Sequence, residues 1–210
     1  MRPHVLVTGF PAFPTAPVNP TERLIELLGE RDLTIDAEVR AAVVPCAYGE
    51  APAALEALGR EYHPDIVLAF GLSRRAKSFT LERIARNLCT SDLPDTSGEC
   101  RRGAPIVADS PGELRSTLPL VAIHKALRAK DIAADFSDDA GGYLCNFVFY
   151  LIVGHHIPSL KPAAAGFIHV PAFGTDTESP SQRFSQEILW RGACACLNAS
   201  IESWRIKHIL

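Results

Sequence analysis

The sequence predicts an α/β fold, with parallel βαβ units laying helices over both faces of a central sheet. Three observations predict it. Short apolar runs ending in turn residues alternate with stretches of helical spacing. The first 70 residues run strand, helix, strand, helix, strand. A chain of 210 residues that is 47% hydrophobic is the right size and composition for one domain, 1–210, with a sizeable core.

His4 to Thr8 is an apolar run closed by Gly9 and reads as a buried strand. After a loop, Asn19 caps a helix that has Pro20 at its first position and Leu24, Ile25, Leu27 and Leu28 behind it, with Gly29 as its stop. Thr34 to Val44 reads as a second strand. Ala51 to Tyr62 carries the helical spacing of Leu55, Leu58 and Tyr62, and Ile66 to Phe70 is a third strand. Asp92 to Ser116 is dense in Pro, Gly, Asp and Ser and reads as a long loop, a lid or interface candidate. Beyond it the pattern predicts a helix from Leu120 to Lys130, a strand at Ile132 to Phe136 and a helix from Tyr143 to His155. A strand at Ala164 to Val170 and a final helix from Gln182 toward Lys207 complete the chain.

The formal charge of -3 and the scattered Lys and Arg residues argue against a nucleic-acid partner. No apolar stretch approaches the roughly 20 residues needed to cross a bilayer, and no signal-peptide core precedes Pro11, so no membrane partner and a cytoplasmic location are expected. The six cysteines are then expected to be reduced. Their spacing includes no zinc-type CxxC pair, so no structural metal is expected.

Chemistry concentrates at Asp135-Phe-Ser-Asp-Asp-Ala-Gly-Gly-Tyr-Leu-Cys145-Asn146, where a strand gives way to two glycines and then an apolar helix. Cys145 falls in the first turn, where free N–H groups and the helix dipole favour a thiolate and the Cys145 amide can serve an oxyanion. A cysteine before Phe147, Val148 and Phe149 also fits a small core residue, so the reading needs a partner. His169 supplies one, at the end of the run Gly166-Phe-Ile-His-Val-Pro171, where α/β sheets place their sites. A third group normally orients the imidazole, and Glu82, Asp92, Asp95, Asp138 and Asp139 are candidates. A metal site built on His155, His156 and His169 is a weaker alternative.

Four blocks, taken together, resemble the pyroglutamyl peptidases: Val5-Leu-Val-Thr-Gly-Phe-Pro-Ala-Phe13 with Asn19-Pro20, Thr80-Leu-Glu-Arg-Ile-Ala-Arg-Asn87, Ala140-Gly-Gly-Tyr-Leu-Cys-Asn146, and Gly166-Phe-Ile-His-Val-Pro171. The resemblance runs nearly end to end. It implies a three-layer α/β/α sandwich with a mixed, mainly parallel sheet, often assembled as a homotetramer. It also implies a cysteine exopeptidase that removes an N-terminal pyroglutamate, with a peptide of blocked N-terminus as partner. In that likeness Cys145 is the nucleophile, His169 the base and Glu82 its orienting group, while Phe10, Phe13, Asn19 and Leu72 fall at substrate-binding positions. Three departures stand out: Leu72 where the family commonly has Gln, Phe147 where it has His, and Asp92 in place of an arginine that helps stabilise the oxyanion. Arg75, Arg83 and Arg86 are the candidates to replace that arginine.

Overall fold

The computed structural model of the chain describes residues 2–13, 16–174 and 184–209. Among these the order is β1 (His4–Gly9), α1 (Pro20–Glu30), β2 (Glu38–Val43), α2 (Glu50–Tyr62), β3 (Ile66–Leu72), β4 (Phe79–Glu82), β5 (Ile84–Arg86), β6 (Glu113–Arg115), α3 (Leu120–Arg128), β7 (Ala134–Ser137), α4 (Leu144–Val153), β8 (Ala164–Val170) and α5 (Gln186–Ile209). Six strands form one sheet in the order β2-β1-β3-β8-β4-β7, and β5 pairs with β6 apart from it. β1 is parallel to β2 and β3, and β3 is parallel to β8. β4 runs antiparallel to β8 and parallel to β7. The sheet is therefore mixed and mainly parallel.

The period of two along each strand sorts the core into two halves. Val5 and Val7 of β1 pack with Leu24 of α1, Ile123 of α3 and Leu189 of α5. Leu6 faces the other way, toward Leu55 of α2 and Val148 and Phe149 of α4. β3 and β8 divide in the same manner, with Leu68 and Ile168 on the first side and Val67 and Phe167 on the second. Three layers result: α1, α3 and α5, then the sheet, then α2 and α4. His169 shares the parity of Phe167 and so faces α4. Glu82, alternating with the buried Leu81 of the first half, does the same from β4.

Several boundaries differ from the sequence expectation for local reasons. α1 continues through Gly29 to Glu30, because the Arg31 N–H still reaches the Leu27 carbonyl at 3.0 Å. β2 begins only at Glu38, where pairing with β1 starts. Ile132 does not open β7: its N–H bonds back to the Leu127 carbonyl at 3.0 Å, after a turn at Asp131 with φ of 58°. The expected start of the last helix, Gln182, lies outside the described residues, and α5 is seen from Gln186.

The segment 92–116 is not a uniform loop. It ends in β6, and Asn87 holds its middle through Nδ2 to the Val107 and Ser110 carbonyls and Oδ1 from the Val107 N–H. Asp95, buried within it, accepts from the backbone N–H groups of Tyr48, Ser97 and Glu99 and from the Ser97 hydroxyl. No helix among the described residues is long and apolar enough to cross a membrane.

Candidate active site

Cys145 owes its position to the turn before α4. Gly141 has φ of 81°, a left-handed conformation that glycine adopts without strain. A Cβ on Gly142 would lie 1.7 Å from Thr90 Oγ1, so only glycine lets this turn pack against Thr90, whose N–H donates to the Gly142 carbonyl at 3.0 Å. Cys145 is the second residue of α4, inside the turn whose N–H groups have no partner within the helix.

Asn146, almost completely buried, fixes that turn. Its Nδ2 donates to the Arg86 and Leu88 carbonyls, and its Oδ1 accepts from the Arg86 N–H at 2.8 Å. Asn146→Ala strips partners from three backbone groups and is expected to lower stability by about 2–4 kcal/mol, since each orphaned group costs on the order of 1–3 kcal/mol. Urea unfolding monitored by far-UV circular dichroism checks this; an unchanged midpoint would show that the latch is dispensable.

His169 sits near the end of β8, in register with Gly71 of β3. A Cβ on Gly71 would lie 2.9 Å from Cys145 Sγ and 2.6 Å from Phe167 Cζ, so the missing side chain is what brings the thiol down onto this strand end. From β4, Glu82 Oε1 accepts from His169 Nδ1 at 2.7 Å. Glu82 is 1% exposed and His169 6%. With Nδ1 engaged, the other ring nitrogen is left for the thiol. Burial alone would depress the imidazole pKa. Hydrogen bonding and charge from Cys145, then from Glu82, outweigh burial and raise it from 6.5 to about 9. The second carboxylate oxygen, Oε2, is buried without a partner among the described residues. A thiol, an imidazole and a buried carboxylate in this arrangement can deliver a nucleophile and move its proton.

The other cysteines differ. Burial pushes Cys46 up to about 12 and raises Cys89, Cys194 and Cys196 as well. Cys100 is exposed on the 92–116 segment. Of the remaining carboxylates considered, Asp95 organises its own loop, Asp138 pairs with Arg83 at 2.5 Å, and Asp139 pairs with Arg86 at 3.1 Å. Asp92 turns outward to Arg102 at 2.6 Å, so its charge is neutralised at the surface and does not face the thiol. Arg83 and Arg86 are thereby committed, leaving Arg75 as the expected replacement without a carboxylate partner among the described residues.

Cys145, His169 and Glu82 share the wall of a cavity of about 690 Å³ with Leu72, Arg75 and Tyr143. Phe10 and Phe13 are not on that wall. Phe10 lies behind it, 6.4 Å between ring centroids from Phe167, whose own ring is 4.9 Å from His169. Phe13 packs on the same cluster. Asn19, also expected at a substrate-binding position, is 3% exposed and off that wall. Its Oδ1 accepts from the Thr21 N–H and hydroxyl and its Nδ2 donates to the Pro11 carbonyl, so it caps α1 and holds the loop bearing the two aromatics. Phe147 is 2% exposed, edge-on to Tyr48 at 5.0 Å, and belongs to the core. His155 and His156 lie beyond the C-terminus of α4, about 15 Å of helix away from Cys145. Among the described residues no three His, Cys, Asp or Glu side chains gather as metal ligands.

Gly71, Asn146 and Arg74, which lines the cavity beside Arg75, had no role in the sequence reading, which offered Arg75 only as a replacement for the oxyanion arginine. The end of the β3 run at Gly71 was the one available signal.

The sequence model of the pyroglutamyl peptidase family matches residues 3–203. A pyrrolidone-carboxylate peptidase of Pyrococcus furiosus is 40% identical over 167 residues, 80% of this chain and 80% of that protein. One from Pseudomonas fluorescens is 38% identical over 184 residues, 88% and 85% of the two chains. Among solved structures, the pyrrolidone carboxyl peptidase from Thermococcus litoralis aligns with a TM-score of 0.89 at 30% identity, covering 98% of this chain and 96% of the other.

Proposed function

The chain belongs to the pyroglutamyl peptidase family, and from that premise we propose that it is a cysteine exopeptidase that removes N-terminal pyroglutamate from peptides by acyl transfer. The observation that carries the reading is the Cys145, His169 and Glu82 constellation on one cavity wall. The Cys145 thiolate attacks the carbonyl that follows the lactam ring, and the oxyanion is held by the Cys145 N–H in the first turn of α4. Imidazolium His169 gives its proton to the departing amine as the C–N bond breaks, leaving a thioester. His169 then takes a proton from water, which attacks the thioester and restores the thiolate. Glu82 holds the imidazole by its Nδ1–H throughout. Phe10 and Phe13 supply aromatic surface for the lactam, with Asn19 positioning their loop and Leu72 on the cavity wall. The scheme uses no cofactor or metal.

The test is hydrolysis of a pyroglutamyl-coumarin amide beside a panel of aminoacyl-coumarin amides. Cleavage of the pyroglutamyl compound alone is expected. Cleavage of another amide instead would favour a second reading, a changed acyl specificity, which the apolar Leu72 supports. Absence of any cleavage would favour a non-catalytic protein that binds peptide N-termini.

We further infer that residues 1–210 work as one domain, in the reducing cytoplasm, as a homotetramer. Six free cysteines fit a reducing compartment. Val121 and Phe136, exposed beside a second groove of about 720 Å³, fit an assembly surface that light scattering would test.

A further inference from the structure

The turn after β3 carries three cations in four residues, Arg74, Arg75 and Lys77, and none has a carboxylate partner among the described residues. Arg74 and Arg75 are exposed and lie on the wall that Cys145 and His169 share. The turn is anchored beside the site, with the Ser73 N–H donating to the carbonyl of Val170, the residue after His169, at 3.0 Å. It is closed by the Ala76 N–H on the Ser73 carbonyl at 3.2 Å and the Arg75 N–H on Ser73 Oγ at 3.3 Å. The two carboxylates on that wall are already engaged, Glu82 with His169 and Asp139 with Arg86. The cavity mouth therefore carries uncompensated positive charge, while the chain as a whole is at -3.

That charge lies on one side of the thiol. Phe10 and Phe13, which serve the lactam in the function proposed above, are off this wall, Phe10 against Phe167 and Phe13 on the same apolar cluster. The open side lined by the arginines is thus the side from which the leaving peptide departs.

We propose that Arg74 and Arg75 form a carboxylate-recognising rim on the leaving-peptide side, so that the enzyme prefers pyroglutamyl peptides whose next residues present a carboxylate. Guanidinium groups suit this task because they stay charged and pair bidentately with carboxylates. The inference rests on the peptidase reading. The carboxylate has two sources, an acidic side chain or the free terminus of a short peptide, and the substrates separate them.

The experiment compares pyroglutamyl-alanine amide, pyroglutamyl-alanine with a free carboxylate, pyroglutamyl-glutamate amide and pyroglutamyl-lysine amide. A kcat/KM advantage of about tenfold for a carboxylate-bearing peptide over the alanine amide is expected, carried by KM and shrinking at about 0.5 M salt, as for exposed charges. In the Arg74→Gln/Arg75→Gln protein that ratio should fall toward one. Equal rates in wild type, or an unchanged ratio in the variant, overturn the proposal. So does an equal fall on every substrate, which would instead assign Arg75 to the oxyanion. If no peptide is cleaved, the alanine amide included, the peptidase reading fails. The same ratios are then read as affinities of the peptides for the Cys145→Ala protein, and equal affinities overturn the rim.

Discussion

Cys145→Ala is expected to lower kcat/KM on a pyroglutamyl amide by at least about 10⁴-fold, the scale seen when a covalent nucleophile is removed. Far-UV circular dichroism should stay unchanged, since the residue is only partly buried and a small side chain replaces a small one. No other cysteine can substitute: Cys46, Cys89 and Cys196 are buried with raised pKa values, and none of the five shares the cavity wall with His169. Retained activity would remove the covalent mechanism. The same variant reports on His169. Without the thiol, the hydrogen bond and charge that raise the imidazole are gone and burial opposes Glu82 alone, so the imidazole should titrate below about 9. The sign for stability follows. A histidine raised above its unfolded value stabilises the fold below about pH 6.5, and that contribution disappears as pH rises through about 9. The variant's stability should therefore decline less between those limits, as urea unfolding at pH 6 and pH 9 would register, with the His169 ring proton shift as the direct measurement.

Glu82→Gln is the second large effect, a fall in kcat of about 10²–10⁴-fold with KM little altered, by analogy with removal of charge from the orienting carboxylate of other triads. The substitution keeps the shape of the side chain but removes the negative charge facing Nδ1 at 2.7 Å. The imidazolium formed during proton transfer then lies buried without its counter-charge. A glutamine that turned its amide nitrogen to His169 would also select the wrong tautomer. Steady-state kinetics separate kcat from KM, and a variant with wild-type kcat would show that the imidazole needs no orienting charge. Both expectations rest on chemistry read from geometry, and Asn146→Ala tests the scaffold beneath it.

Most of the parallel core was legible in the sequence. β1, β3 and β8 are buried on both faces and read as continuous apolar runs bounded by turns. β5 and β6 escaped because three-residue strands separated by 26 intervening residues have no local signature. Cys145 and His169 stood out because a helix start and a strand end are places where an α/β fold exposes chemistry. Glu82 did not stand out from Asp92, Asp95, Asp138 and Asp139 by local pattern. Its burial depends on β4 lying beside β8, and strand order in a sheet is a long-range property. The family likeness selected it, and the 2.7 Å contact with His169 is the physical content of that selection. Asn19, read from the sequence both as a helix cap and as a substrate-binding position, is seen in the structure as the cap of α1 and a tie to the Pro11 carbonyl.

The insertion of β4 against the parallel grain of the sheet has a kinetic consequence. Glu82 and His169 are 87 residues apart in the chain, and Asn146 reaches Arg86 across 60. Contacts of that span close large loops and form slowly compared with the helix pairs and neighbouring strands of the first 70 residues. A refolding chain should recover most of its helical signal before β8 and β4 zip together. Regained turnover is then a late clock for folding, marking the moment at which two strands distant in the chain have come side by side.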